Sequence, residues 1–203
     1  MFLKLFFLIK IMKKIKEVWR EIVKFFRKDS WTSLIVTLIL AFVLIKFIFF
    51  PLLSLITGTA LPLVIVESCS MYHSEGLEEV MKNEVYANYN LNFSDTNDWS
   101  FKNGLSKGDV IFVLGIDKED IEVGDVVIFE GGSRHPIIHR VIKTGGGKIT
   151  TKGDHNSGLL GNEVDVDGDL VVGRAVFRVP LVGWVKLIFY EWGRSGSEKG
   201  LCR

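Results

Sequence analysis

The feature that most constrains this chain is Trp31–Ile56, WTSLIVTLILAFVLIKFIFFPLLSLI, which is almost continuously apolar. About 20 apolar residues carry a helix across the hydrocarbon core of a bilayer, so this stretch is long enough to span one. Its one charge, Lys46, reads in two ways. Either the core runs from about Ser33 to Ile45 with the lysine snorkelling to the far interface, or it extends to Phe50 with the lysine against a protein partner. Pro51 is expected to end or kink the helix. The competing reading is a cleavable secretory signal. Against it, the run exceeds the ~7–15 residues of a signal core. Only Gly58-Thr59-Ala60 approaches a small-x-small cleavage site.

Charge sets the orientation. The net charge of +1 gives no reason to expect a nucleic-acid partner, but it hides an asymmetry. Residues 1–30 hold nine Lys/Arg and three acids, and the remainder is acidic overall. Lys10, Lys13, Lys14, Lys16, Arg20, Lys24, Arg27 and Lys28 should stay cytoplasmic, which puts everything after residue 57 on the outer face. Ile15, Val18, Trp19, Ile22, Val23 and Phe26 stand at helical spacing, as in an amphipathic helix lying in the membrane interface. Met12-Lys13-Lys14 would itself make a plausible start, with residues 1–11 as an extension. The expected division is a basic amphipathic cytoplasmic segment (1–30), a transmembrane helix (31–57) and an outer domain (58–203), with membrane lipid as a partner.

After residue 62 the pattern becomes short apolar runs separated by turn signals, as in a mainly β domain. Expected strands are Leu63–Val66, Val110–Gly115, Val126–Glu130, Ile137–Ile142, Lys148–Lys152 and Leu170–Val179. Breakers include Lys107-Gly108-Asp109, Gly124-Asp125 and Gly145–Gly147. Residues 74–86 read as a short helix and Asn88–Asn103 as a polar surface loop. Val179–Trp192 is apolar but too short to span unaided, so it is a core helix or a second membrane contact. Cys69 and Cys202 stand far apart and make no disulfide framework or metal pattern.

Three segments hold candidate chemistry. Ser70, in Glu67-Ser68-Cys69-Ser70-Met71, follows a short strand near the outer membrane face. A serine hydroxyl attacks a carbonyl only if a base takes its proton. His139, in Pro136-Ile137-Ile138-His139-Arg140-Val141-Ile142, shares a strand face with Ile137 and Val141. Half-burial among aliphatics favours a neutral imidazole, as a general base requires, although the same pattern fits a hydrogen-bonded core histidine. Asp154, in Thr151-Lys152-Gly153-Asp154-His155-Asn156, orients an imidazole or is simply a turn aspartate.

Taken in order, Ser-x-Ser-Met after a membrane helix, Gly-Asp-Val-Val-Ile-Phe leading into Ile-Ile-His-Arg-Val, then Thr-Lys-Gly-Asp-x-Asn closely resemble type I signal peptidases of the archaeal and endoplasmic-reticulum branch. The match covers the anchor and most of the outer domain. It implies a β-rich signal-peptidase fold and, with no cofactor or metal, cleavage of signal peptides from secretory precursors after small side chains. It also implies proximity to the translocon. By this resemblance Ser70 is the nucleophile, His139 the base, and the Ser70 N–H and Ser68 hydroxyl the oxyanion donors. The family usually has a proline where this chain has His73. Relatives also carry a further aspartate about six residues after Asp154, where this chain has Leu160. Asp165, or Asp167, substitutes if Ser157–Glu163 is an insertion, so the expected acids are Asp154 and then Asp165. The rival readings are a non-catalytic membrane-anchored binding or scaffold protein of the same fold, a serine protease processing surface proteins, and Cys69 as a thiol nucleophile. Strand alternation would turn Cys69 away from Ser70.

Overall fold

The computed structural model describes residues 12–14, 16–17, 19–21, 23–28, 30–132, 135–194 and 199–202. The chain forms two compact units, Met1–Leu52 and Leu53–Arg203. Described residues from 12 to 26 are helical, with Trp19 exposed. Ile15, Val18 and Ile22 of the expected amphipathic face lie outside the described residues, as do residues 1–11.

Helix α1, Trp31–Thr57, is entered through Ser30, whose hydroxyl accepts the Ser33 N–H at 3.2 Å. That cap satisfies one of the donors left open in a first turn. At 27 residues α1 is about 40 Å long, and its apolar side chains are almost all exposed. It is long and apolar enough to cross a bilayer. Of the two expected effects of Pro51, the helix does not end there: it runs on to Thr57. Ile45–Phe49 make a π turn, and the Phe50 N–H reaches back to the Ile45 carbonyl. The widened turn displaces the carbonyls that the proline ring would otherwise strike.

The outer unit is built on a seven-stranded antiparallel sheet in the order β1-β2-β7-β3-β4-β5-β6. The strands are β1 (Leu63–Ile65), β2 (Val110–Leu114), β3 (Val126–Phe129), β4 (Ile137–Gly145), β5 (Lys148–Lys152), β6 (Val166–Asp167) and β7 (Val171–Val179). β4 runs three residues past its expected end, because Gly145 pairs with Lys148 across a two-residue turn. Gly146 and Gly147 both have positive φ (60° and 74°), which that tight turn requires. All four β3 residues are buried, since both faces of the sheet centre are covered. Ile111, Val113, Val126 and Ile128 pack on one side, Val127, Phe129, Val141 and Ile149 on the other.

Residues 74–86 form two helices, not one: α2 (Leu77–Val80) and α3 (Glu84–Asn88). Asn83 caps the second by accepting the Val85 N–H at 3.0 Å. The following polar loop carries Trp99 into a third core cluster with Tyr86 and Ile142. The C-terminal helix α4 (Trp184–Tyr190) is not a core helix. It buries Leu187 but leaves Val185 and Phe189 77% and 79% exposed.

The turn into β3 rests on Gly124, at φ 99°, where a Cβ would lie 2.2 Å from the Trp99 ring. Gly124→Ala should therefore destabilise the protein by about 2 kcal/mol. A lower thermal midpoint of the detergent-solubilised protein is the expected reading, and an unchanged midpoint contradicts this packing.

Candidate active site

The segment after β1 is pinned at several backbone points. Val66 donates its N–H to Asp109 O at 2.9 Å and accepts the Gly108 N–H at 2.8 Å. Ser68–Met71 then turn, closed by Tyr72 N–H to Cys69 O at 3.0 Å. The Ser70 carbonyl accepts the His155 N–H (2.8 Å), and the Met71 carbonyl accepts that of Leu105 (2.7 Å). Met71, 1% exposed, roots the turn in the core. Ser70 is half-buried, with its Oγ 3.2 Å from Ser68 Oγ.

Cys69 and Cys202 form a disulfide, contrary to the sequence reading. Their separation of 133 residues hid the pair, because only the fold brings the Cα atoms to 5.6 Å. In this form Cys69 has no thiol to act as a nucleophile, and the reason is this bond, not strand alternation.

His139 lies on β4 opposite Val127 and is 4% exposed. Its Nδ1 lies against Glu163 Oε1. Glu163 is fully buried and held by backbone donors: Gly153 N–H reaches Oε1 at 3.2 Å and Leu160 N–H reaches Oε2. A carboxylate at Nδ1 selects the tautomer whose Nε2 lone pair is free to accept a proton. Nε2 faces Gly153 so closely that a Cβ there would come within 2.8 Å of it.

Asp154 is elsewhere. It is 3% exposed and receives Arg140 Nη2 at 2.7 Å and Arg140 Nε at 3.0 Å. His73 Nε2 is 2.8 Å from its Oδ2, and the Tyr86 hydroxyl donates to Oδ1 at 2.9 Å. Burial opposes the charge on Asp154, but the Arg140 guanidinium and the hydrogen bonds from His73 and Arg140 outweigh it. Together they hold the carboxyl well below the usual carboxylate range. Burial first, and then the Asp154 charge, push the Tyr86 phenol upward. Burial pushes the Lys152 ammonium downward against the pull of Asp154 and Glu163. Asp154 thus orients an imidazole, but that of His73.

Ser68, Ser70 and His139 line one cavity of about 980 Å³, with Leu63, Ile65 and Ile137 among its apolar walls. Asp154 and Asp165 do not line it. Asp165 is exposed, and its backbone N–H lies 3.5 Å from Thr150 Oγ1. Leu160 turns outward at 48% exposure, and Glu163, three residues further on, carries the carboxylate to His139. No local signal distinguished Glu163, since a buried acid in a loop of Gly, Asn and Leu is recognised only from its partners.

No protein-family model matches the chain. It is 34% identical over 104 residues to the signal peptidase complex catalytic subunit SEC11C of Homo sapiens, covering 46% of this chain and 54% of that one. Identity to the SEC11 catalytic subunit of Clavispora lusitaniae is 33% over 104 residues, covering 45% and 61%. For that of Komagataella phaffii it is 32% over 111 residues, covering 45% and 63%. The chain spans about half to three-fifths the length of the curated relatives it matches, and these homologues are signal peptidase catalytic subunits.

The depressed Asp154 carboxyl has a consequence for stability. Because its native pKa lies below the unfolded value of about 3.9, its contribution is fully present above that value and lost as pH falls through the native one. The thermal midpoint of wild type should drop more between about pH 4 and pH 2 than that of Asp154→Asn, which should start lower at pH 7. Parallel curves for the two proteins would remove the basis for this reading.

Proposed function

We propose that this chain, whose homologues are signal peptidase catalytic subunits, is a membrane-anchored serine endopeptidase that cleaves signal peptides from secretory and membrane precursors. The carrying observation is the shared cavity of Ser70 and His139, with Glu163 seated on the far nitrogen of the imidazole. β1 is one of the two edge strands of the sheet, and its residues line that cavity. A precursor segment bound there in extended form would pair with the open edge and be presented to Ser70.

In this mechanism His139 Nε2 takes the Ser70 Oγ proton as the oxygen attacks the scissile carbonyl. The Ser70 N–H and the Ser68 hydroxyl receive the oxyanion. Collapse releases the amine, protonated by His139, and leaves an acyl-enzyme. A water activated by the same imidazole then hydrolyses the ester. Glu163 orients the imidazole and stabilises its charged form. Asp154 acts through structure: it fixes the loop whose His155 N–H holds the Ser70 carbonyl. Asp165 has no part in the reaction.

The basic N-terminal segment on the cytoplasmic side would place the outer unit on the far face, beside lipid and emerging precursors. A disulfide fits that oxidising side.

The test is cleavage of a secretory precursor by detergent-solubilised protein. Ser70→Ala should abolish turnover, and Glu163→Gln should lower kcat by roughly 10²–10⁴-fold. Ser68→Ala should cost ~10²–10³, and a loss under about tenfold would argue against its oxyanion role. Asp165→Asn should stay within about twofold, as expected of a surface change away from the reacting atoms. Undiminished cleavage by Ser70→Ala would sink the assignment of the nucleophile, and no cleavage by wild type would leave a non-catalytic scaffold.

A further inference from the structure

The segment following α4 is attached to the strand exit that carries Ser70. Arg194 donates to the Glu67 carbonyl at 2.7 Å, and its second nitrogen lies 3.4 Å from the Glu67 carboxylate. Lys186 of α4 reaches the other carboxylate oxygen at 3.4 Å. The disulfide then ties Cys69, the residue before Ser70, to Cys202. Cys202 is itself well seated: the Lys107 N–H points at its sulfur (3.4 Å), and Lys107 is 1% exposed. The Lys107 ammonium pairs with Glu191 at 2.6 Å, the Trp184 indole donates to the Lys107 carbonyl at 3.0 Å, and Gly200 N–H donates to Glu191 at 2.8 Å.

We propose that the disulfide is a covalent clamp on the nucleophile turn, so that cleavage is fast in the oxidised protein and slow in the reduced one. The inference rests on the protease reading above. The Cys69–Ser70 peptide carries the N–H assigned to the oxyanion. His155 and Leu105 hold the carbonyls of Ser70 and Met71, downstream of that peptide, and Arg194 holds the carbonyl of Glu67, upstream. The carbonyl of the peptide itself accepts only the Tyr72 N–H, from within the same turn, so the side chain of Cys69 is the nearest anchor that ties the peptide to a segment outside the turn. Without it the turn can shift as a unit against the rest of the domain, and an N–H that must meet a developing oxyanion loses its alignment. The loss falls on an interaction made in the transition state, so it appears in kcat rather than KM.

Control of this kind has balanced chemistry. A dithiol reductant attacks one cystine sulfur as a thiolate, forming a mixed disulfide and releasing the other cysteine as a thiol. The reductant's second thiolate then closes its own disulfide and frees the remaining cysteine. Two electrons and two protons pass to Cys69 and Cys202. A newly made chain would therefore reach full activity only after its outer domain meets an oxidant.

The experiment compares oxidised protein, protein treated with dithiothreitol, and Cys202→Ser in the precursor assay, with free thiols titrated and folding followed by near-UV circular dichroism. Reduction should lower kcat about tenfold with KM within about twofold, since misaligning one donor costs less than deleting it. Reoxidation should restore the rate. Cys202→Ser should sit at the reduced value and ignore dithiothreitol, with all three species folded at the assay temperature. Full activity with two titrated thiols overturns the clamp, and so do two free thiols in protein purified without reductant. Activity lost in step with the folded signal also overturns it, because the disulfide then acts on global stability. Oxidised protein that cleaves nothing sinks the protease reading itself, whereas cleavage indifferent to reduction sinks only the clamp.

Discussion

The buried pair of Arg140 and Asp154 is the interaction on which the site most depends. Arg140 is completely buried and, besides the carboxylate, donates to the carbonyls of Ser100 and Gly124 at 2.8 and 2.9 Å and to that of Phe101 at 3.3 Å. Asp154 adds His73 and Tyr86. One ion pair thereby joins β4, the loop after β5, α3, the polar loop and the turn after Met71. Removing either partner of such a pair leaves an uncompensated buried charge, at a cost of about 3–5 kcal/mol. Its value lies less in net stability than in fixing which loops meet behind the cavity.

β4 carries that anchorage to the wall of the cavity. Neighbouring strand residues point to opposite faces, so Arg140 turns back to Asp154 while His139 turns to the cavity. Because both are buried, neither can swing without carrying the other's backbone. The same economy holds in the loop after β5. Asp154 is taken up by the network, and the next residue, His155, uses its N–H to hold the Ser70 carbonyl. In the proposed mechanism base and nucleophile are thus positioned from one charged centre without either touching it.

What was legible in the sequence was whatever depends on local pattern. The apolar length of α1, the strand runs around Val110, Val126 and Ile137, and the Gly146-Gly147 turn follow from hydropathy and backbone preference alone. Ser70 and His139 were found as motifs, and the structure places both on one cavity. The disulfide, Glu163 and the second use of Asp154 were not legible, since each is a contact between segments distant in sequence. In the sequence His73 is only the residue that stands where the family usually has a proline. Its imidazole is buried because a carboxylate 81 positions away receives it. The π turn at Ile45–Phe49 escaped for another reason: a proline signals a break, but a helix can widen by one residue and continue.

The position of the acid shows what constrains such a site. An aspartate at position 160 would have followed the family spacing, but Leu160 is exposed there and its N–H donates to Glu163. The loop first spends its residues on a turn, and the carboxylate arrives three positions later on a side chain one methylene longer. That carboxylate must meet Nδ1 of an imidazole already fixed by β4, and its own charge must be met by buried N–H groups. Gly153 and Leu160 supply those donors. Any loop that meets both conditions can serve, so the contact does not require one fixed spacing along the chain. Counting six residues on from Asp154 therefore points to a leucine, whereas following the contacts outward from His139 leads to Glu163.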